Sequence, residues 1–424
     1  MLSFDFTGSN AHLPEPDRQR MLPRARAAHR ALLQGTGAGP EWLGWRRLLA
    51  EPDDALLDQV EQVALEIRER ADVLVCIGIG GSYLGADAVI QALTPAFPDA
   101  GRTPVVFAGH HLSTEYLAGL LEWLKGKSVY VNVISKSGTT LEPALAFRFI
   151  RAFMEETFED ADRRIIATTD AHHGALRTLA SEKGYRTFTI PGDVGGRFSA
   201  LTPVGLLPMA AAGIDIRTLF YGSVTMMRTL ASEDDNPALE YAMRRWLLHE
   251  AGYTTEVLSV MDPRMTRMGA WWQQLFGESE GKNHQGLFPS VCTFTTDLHS
   301  VGQFIQEGRR TLIETFLTVE SGSSTLRVPG DPADLDGLSY LEGRRMRDVN
   351  RAAFEGTLKA HIAGGVPVTH IGMPAVSAES IGQLMYFFEH AIAVMGYLLG
   401  VNPFDQPGVE AYKKEMFTAL GKPC

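Results

Sequence analysis

Hydroxyl and amino side chains are concentrated at one strand-to-helix turn of the sequence. The stretch VNVISKSGTTLEPALAF, residues 131–147, begins as an apolar strand and continues as a helical pattern from Leu141. Between the two lie Ser135, Lys136, Ser137, Gly138, Thr139 and Thr140. So many donors at the start of a helix are typical of a phosphate monoester site, because free backbone N–H groups point to the same place.

A second loop, GIGGSYLG at residues 78–85, directly follows another apolar strand. Its candidate ligand-binding residues are Gly80, Gly81 and Ser82, and we predict a helix that starts at Ser82. Glycines let backbone N–H groups approach an anion closely. Either loop alone could be an ordinary turn or helix cap, but two of them on adjacent strand–helix units favour a phosphate site.

The glycine loop does not fit two better-known phosphate motifs. Tyr83 stands where a dinucleotide fingerprint has its third glycine, and the acid expected at the end of the second strand is missing. A P-loop would need Lys after its last glycine, but Ala86 follows Gly85. A dehydrogenase is therefore disfavoured.

Two carboxylates form the strongest candidate for proton transfer. In WWQQLFGESEGKNHQG, residues 271–286, we expect a helix to end near Phe276 and to be followed by Glu278 and Glu280. They could be a solvated helix end, or one could be a general base whose pKa is raised towards neutrality by burial. Composition alone favours the solvated end.

Three further segments hold isolated candidates. Arg197 follows glycines in GDVGGRFSALTPVG and would suit a developing oxyanion, although a surface salt bridge is the simpler interpretation. His299 lies just past a strand in TTDLHSVGQF, where a structural histidine is the alternative. Gln406 and Lys413 in NPFDQPGVEAYKK are seven apart and would share a face of a C-terminal surface helix.

The elements that position these residues alternate between apolar strands and amphipathic helices from about residue 71. Fully apolar strands in repeated strand–helix units indicate parallel sheets covered on both faces. The pattern predicts an α/β fold with two sandwiches in tandem, joined near residues 200–235. The predicted domains are residues 45–205, with the phosphate loops, and residues 1–44 with 206–424, which carry N- and C-terminal helical segments.

Net charge, cysteine spacing and hydropathy limit the kinds of partner and the location that we expect. A net charge of -11 argues against nucleic acid but not against a small anion held by local donors. Cys76, Cys292 and Cys424 are too far apart for a disulfide framework or a zinc site, which indicates a reducing compartment. We expect the apolar stretch 381–401 to be a core or interface helix and not a membrane span, because Glu389 and His390 interrupt it. Without a targeting signal, the default location is the cytoplasm.

Six motifs in this order resemble the glucose-6-phosphate isomerase family in its shorter bacterial form. They are IGIGGSYLGA, ISKSGTTLE, GDVGGRFSALTPVG, GESEGKNHQG, TTDLHSVGQFIQEG and NPFDQPGVEAYKK. The resemblance extends from about residue 70 to 415. It implies two tandem αβα sandwich domains of the sugar isomerase type, with parallel-rich sheets and a C-terminal helix.

The resemblance also implies roles. The sugar phosphate is bound by the GGS turn and by hydroxyls of the 135–140 loop, with Ser82, Ser135, Ser137 and Thr140 as the best matches. Glu278 is the base that moves a proton between C2 and C1 through a cis-enediol(ate), and Arg197 stabilises the enediolate. His299 and Lys413 open the sugar ring, and Gln274 and Gln406 contact the substrate. Glu280 would lie behind the base or face the solvent.

The family works as a dimer in which the histidine reaches in from the neighbouring subunit. It uses no metal and no redox cofactor. Two alternatives stay open: a broader phosphosugar isomerase that also accepts mannose 6-phosphate, and a sugar-phosphate sensor without catalysis.

Overall fold

Two five-stranded sheets organise the chain in this computed structural model, which describes residues 1–97, 102–322 and 324–422. The strands of the described chain are β1 Ser3–Asp5, β2 Val73–Ile77, β3 Val105–Ala108, β4 Val129–Ile134, β5 Ile165–Thr169, β6 Arg186–Thr189, β7 Thr255–Val260, β8 Phe288–Thr293, β9 Leu312–Ser321 and β10 Val368–Ala375. The helices are α1 Glu15–Gln34, α2 Gly44–Ala50, α3 Asp54–Arg70, α4 Leu84–Leu93, α5 Thr114–Leu124, α6 Leu141–Thr157, α7 Ala161–Arg164, α8 Ala175–Lys183, α9 Pro203–Ala211, α10 Ile216–Thr229, α11 Pro237–Glu250, α12 Thr266–Glu280, α13 Gly302–Glu307, α14 Met346–Ala363, α15 Ala378–Leu399 and α16 Glu410–Ala419. Short 3-10 turns separate several of them.

The first sheet is entirely parallel, in the order β3-β2-β4-β5-β6. Every residue of β2, β4 and β5 is buried, as expected for strands covered by helices on both faces. The carboxyl ends of β2 and β4 therefore lie side by side, and the two predicted phosphate loops leave the sheet at the same edge.

The second sheet has the order β1-β10-β9-β7-β8 and is parallel except for the edge strand β1, which runs antiparallel to β10. The prediction of an α/β fold with parallel-rich sheets is confirmed. The sequence pattern did not predict β1, because three residues are too few to show a period of two. The predicted domain limits stay a proposal.

The apolar stretch near the C-terminus forms α15, which is almost wholly buried. It packs closely against α10, because a Cβ atom on Gly382 would lie 1.9 Å from the backbone oxygen of Leu219. The prediction of a core helix is confirmed. Within the described ranges, no helix is both long and apolar enough to cross a membrane.

Two helix limits differ from the prediction and change how the site is built. Residues Gly80–Ser82 form a 3-10 turn, and α4 begins only at Leu84. The helix α12 does not end near Phe276 but continues to Glu280, through Gly277. Glu278 therefore projects from the last turn of a helix and not from a loop.

Candidate active site

A cavity of about 800 Å³, which we call the main cavity, lies at the carboxyl edge of the first sheet. All predicted site residues except His299 line it: Gly80, Gly81, Ser82, Ser135, Lys136, Ser137, Thr139, Thr140, Arg197, Gln274, Glu278, Gln406 and Lys413. The carboxyl ends of parallel strands are where ligands bind in open α/β sheets.

The hydroxyl loop is ordered by its own side chains. Oγ of Ser135 accepts a hydrogen bond from the backbone N of Gly138 at 2.9 Å. Oγ of Ser137 accepts from the backbone N of Thr139 at 3.1 Å, and Oγ1 of Thr139 lies 3.0 Å from the same oxygen. Lys136 donates to the backbone oxygen of Gly192 at 3.0 Å, which joins this loop to the loop of Arg197. The hydroxyls are thus held together at one wall of the main cavity.

The glycine loop after β2 and the loop of Arg197 touch through their backbones. A Cβ atom on Gly81 would lie 2.0 Å from the backbone oxygen of Gly196, so only glycine fits there. Gly80 has φ +56 and faces the side-chain amide of Gln274 on α12. This close approach brings the GGS turn, Arg197 and the end of α12 to a single point.

Arg197 is 2% exposed, and five acceptors surround its guanidinium. The partners are Oγ of Ser279 at 2.9 Å, Oε2 of Glu278 at 3.1 Å, Oε1 of Gln406 at 3.3 Å, and the backbone oxygens of Pro403 at 2.6 Å and Asp405 at 3.0 Å. Burial lowers the pKa of the guanidinium from its ordinary value, while the charges of Glu278 and Asp405 oppose this shift. Among the described residues, these contacts make a buried cation rather than the surface salt bridge that a lone arginine suggested.

Both oxygens of Glu278 have donors. Gln274, one helical turn earlier on α12, donates to Oε1 at 2.9 Å, and Arg197 donates to Oε2. The side chain of Glu278 is 29% exposed and lines the main cavity. Because the two donors fix its direction, the carboxylate is oriented towards the space that a ligand would occupy.

Glu280, two residues further on, is fully buried and does not face the solvent. It pairs with Arg245 on α11 at 2.6 Å, and Arg245 also pairs with Glu256 on β7 at 2.6 Å. Burial raises the pKa of Glu280, and Arg245 opposes that shift. These contacts anchor the end of α12 to the second sheet and thereby position Glu278.

The C-terminal segment closes the main cavity from the other side. Gln406 precedes a 3-10 turn, Pro407–Val409, and Lys413 lies on α16. The two residues therefore do not share one helix, as the sequence suggested, although both line the cavity together with Tyr412.

Sequence reasoning missed two groups of residues. Asp170 and His173 line the main cavity from the loop after β5; applying the strand-end rule to this strand would have found them. Backbone N–H groups of His172 and His173 lower the pKa of Asp170. Ser279 and Lys282 support Arg197 and the 402–406 segment, and no local signal marks them.

His299 lies elsewhere. It ends the 3-10 helix Thr296–His299 after β8, its side chain is exposed, and it is not among the residues that line the main cavity. Val301 and Phe304, which follow it, expose large apolar side chains. Across the described ranges, no group of three or more His, Cys, Asp or Glu side chains could hold a metal ion.

The two sheets, with a hydroxyl-lined cavity at the edge of the first, define the sugar isomerase class of α/β proteins. The family model of phosphoglucose isomerase matches residues 65–315 and 337–422. The chain belongs to the phosphoglucose isomerase family.

Named relatives and solved structures agree with this placement. A glucose-6-phosphate isomerase of Staphylococcus aureus strain Mu3 is 48% identical over 427 residues, covering 100% of this chain and 96% of the relative. A crystal structure of a hypothetical protein from Thermus thermophilus has a TM-score of 0.90 at 31% identity, with 99% of this chain and 100% of that chain covered. A glucose-6-phosphate isomerase from Chlamydia trachomatis has a TM-score of 0.83 at 20% identity, with 99% and 88% covered, and supports the fold.

Proposed function

We propose that this chain interconverts D-glucose 6-phosphate and D-fructose 6-phosphate, the reaction named for its relatives in Staphylococcus aureus. The observation that carries the proposal is the position of an oriented carboxylate, Glu278, in the same cavity as two phosphate-type loops. A phosphate at the loops would fix the far end of a six-carbon sugar and leave its C1 and C2 near the carboxylate.

The phosphate end is assigned to the GGS turn and the hydroxyl loop, Ser82, Ser135, Ser137 and Thr140, with Lys136 and Thr139 beside them. Several neutral donors and helix starts at this edge support the assignment, because they suit a dianion without requiring a matching number of cations.

The roles at C1 and C2 of the sugar are assigned from the protons that the reaction must move. The Glu278 carboxylate takes the proton from C2 of the open-chain aldose, which leaves a C1–C2 enediolate with its charge on O1. A proton then moves from the C2 hydroxyl to O1, and the Glu278 carboxyl, whose proton can exchange with solvent, delivers a proton to C1 to give the ketose. Arg197 is the cation that stabilises the enediolate oxygens, and the four contacts that hold it besides Glu278 support this role. No redox step occurs in the net reaction, so no redox cofactor is required.

Ring opening needs one group to protonate the ring oxygen and one to take the proton of the hydroxyl at C1. Lys413 lines the main cavity, and we assign it to this step with His299. Since His299 is exposed beside Val301 and Phe304, we propose that this surface packs against a second copy of the chain and delivers His299 to the partner's cavity. The active unit is then a homodimer.

The cytoplasm is the proposed location, since Cys76 and Cys292 are buried free thiols; Cys424 lies outside the described residues. A sensor without catalysis is disfavoured, because binding alone would not need the Glu278 carboxylate and the Arg197 guanidinium to be held in contact. Activity on mannose 6-phosphate stays an alternative substrate range.

A coupled assay tests the function. The protein is given fructose 6-phosphate in the presence of EDTA, and glucose 6-phosphate is followed through an NADP-linked dehydrogenase. We expect turnover that EDTA does not reduce. Folded protein that binds fructose 6-phosphate without forming glucose 6-phosphate would favour the sensor, and loss of turnover with EDTA would contradict the metal-free route.

A further inference from the structure

A second cavity, of about 460 Å³, lies behind the hydroxyl loop between α6 and α8, and we call it the rear cavity. Its walls are Val133, Ser135, Gly138, Pro143, Ala144, Phe147, Arg148, Arg151, Ala175, Leu176 and Leu179. The volume lies in the range of small-molecule sites. Nothing in the isomerisation uses α6 beyond its first turn or the apolar face of α8.

The chemistry of the rear cavity is apolar on one side and cationic on the other. Phe147, Leu176 and Leu179 form the apolar wall, while Arg148 and Arg151 stand at adjacent positions on one face of α6. Among the described residues, none of those that line the cavity is acidic.

The two arginines make few close polar contacts within the part of the chain that the structure describes, although the guanidinium of Arg151 lies 5.9 Å from the centroid of the Phe147 ring. Nε of Arg151 lies 3.9 Å from Oε1 of Glu155, whereas Lys183 approaches the same oxygen to 3.1 Å. Arg148 is exposed, and neither a salt bridge nor a hydrogen bond from its side chain is seen to any described residue. Two guanidinium groups beside an apolar wall are complementary to an anion with an apolar body.

The rear cavity shares a wall with the main cavity. Ser135 and Pro143 line both. Gly138, at φ +74, is so close to α8 that a Cβ atom would lie 2.3 Å from the backbone N of Leu176. A molecule in the rear cavity would therefore touch the loop that is assigned to the phosphate.

We propose that the rear cavity is a second ligand site, which binds a small organic anion with an apolar body and is coupled through the 135–138 loop to sugar-phosphate binding. The head group is held by Arg148 and Arg151, and the body packs against Phe147, Leu176 and Leu179. Because the ligand contacts Ser135 and Gly138 from behind, it changes the freedom of the phosphate loop rather than competing for its hydroxyls. The coupling, though not the site itself, rests on the proposed function.

The probe for this site is 8-anilinonaphthalene-1-sulfonate, an aromatic sulfonate whose fluorescence rises in apolar surroundings. Its affinity is measured for three proteins: the wild-type chain, a double variant with Arg148→Gln and Arg151→Gln, and Leu179→Trp. The last substitution fills the rear cavity but keeps both arginines. Arg163→Gln, an exposed arginine on α7, is the matched control. We expect the probe to bind about tenfold more weakly to both altered proteins and unchanged to the control.

Probe binding in the presence of saturating fructose 6-phosphate shows whether the probe occupies the rear cavity or the main cavity. We expect the probe to stay bound, with its dissociation constant shifted about twofold or more, and the dissociation constant of fructose 6-phosphate to shift by the same factor when the probe is saturating. Displacement of the probe by the sugar phosphate, or equal probe affinity in the double variant and wild type, would overturn the site. Identical sugar-phosphate affinity with and without bound probe would overturn the coupling. The probe's affinity is measured without catalysis, so its outcome is distinguishable from a failed isomerase assay.

Discussion

Nη1 of Arg197 lies 3.1 Å from Oε2 of Glu278, and the two side chains differ sharply in exposure, at 1% and 29%. Four other acceptors hold the guanidinium, whereas Glu278 lies in the last turn of α12 at the edge of the main cavity. The cation is therefore buried and fixed, while the carboxylate that Arg197 and Gln274 orient is open to the main cavity. A partly exposed base beside a fixed cation suits a reaction in which protons are removed from and returned to two adjacent carbons.

Arg197→Lys should lower kcat by about 10²- to 10³-fold, because an ammonium group cannot reproduce the planar donor set that faces the enediolate. The variant should also be less stable by about 2 kcal/mol, since the carbonyls of Pro403 and Asp405 lose their donor. Steady-state kinetics and urea unfolding measure the two effects. The control is Arg267→Lys, because Arg267 is about half exposed and pairs with Asp87 at 3.2 Å outside the main cavity. A wild-type kcat in Arg197→Lys would contradict the assignment.

Lys282→Met should affect the position of Gln406 and not the proton transfer itself. The side chain of Lys282 is 9% exposed, pairs with Asp405 at 3.0 Å and donates to the backbone oxygen of Asn402, which holds the segment that presents Gln406. We expect KM to rise by about tenfold with a smaller change in kcat, and Lys282→Arg to recover part of the loss. Lys359→Met, at an exposed position of α14, controls for loss of charge. Equal losses in kcat and kcat/KM would argue against a positioning role.

Mixing two inactive variants tests the shared active site. Chains with Glu278→Gln and chains with His299→Asn are unfolded together and refolded, so that about half of the dimers are mixed. If His299 serves the partner's cavity, each mixed dimer has one intact site, and about a quarter of the wild-type activity should return. Refolding each variant alone is the control. No recovery from verified mixed dimers would place His299 in its own chain's site, whereas wild-type activity of His299→Asn alone would place it outside catalysis.

Acid should destabilise the protein through His110, which stacks on Tyr83 next to the GGS turn with ring centroids 4.8 Å apart. Burial lowers the pKa of His110 to about 4, helped by the charges of His111 and Arg267. An unfolded histidine has a pKa near 6.5, so between about pH 6.5 and 4 the unfolded chain binds a proton that the folded chain does not. The free energy of unfolding therefore decreases as the pH is lowered through this range.

His110→Asn removes this titration and should lose less unfolding free energy than the wild type between pH 7 and 4.5. Urea unfolding at several pH values measures the difference. His172→Asn, at an exposed position, should follow the wild type. Parallel pH curves for His110→Asn and wild type would contradict the prediction.

The sequence was most informative where function depends on local pattern. The loops at Ser82 and Ser135 could be predicted because each directly follows an apolar strand, and the parallel register brings both to one edge. Gln274 and Glu278 are one helical turn apart, so their contact is local as well.

Contacts between residues that lie far apart in the sequence could not be predicted, for a physical reason. Lys282 contacts Asn402 across 120 residues of sequence, and Arg197 contacts Pro403 across 206. The residues around each partner therefore show no pattern that would indicate the contact. The extent of α12 was also missed, because Gly277 looks like a helix end until the buried pair of Glu280 with Arg245 holds the last turn in place.

The most direct test of the account is hydrogen exchange at the reacting carbon. Fructose 6-phosphate is incubated in D₂O with wild-type protein, Glu278→Gln or the exposed control Glu182→Gln, and deuterium at C2 of glucose 6-phosphate is followed by NMR. We predict incorporation with the wild type and the control, and a loss of about 10²- to 10⁴-fold in Glu278→Gln while fructose 6-phosphate still binds. Incorporation by Glu278→Gln at the wild-type rate would contradict Glu278 as the base.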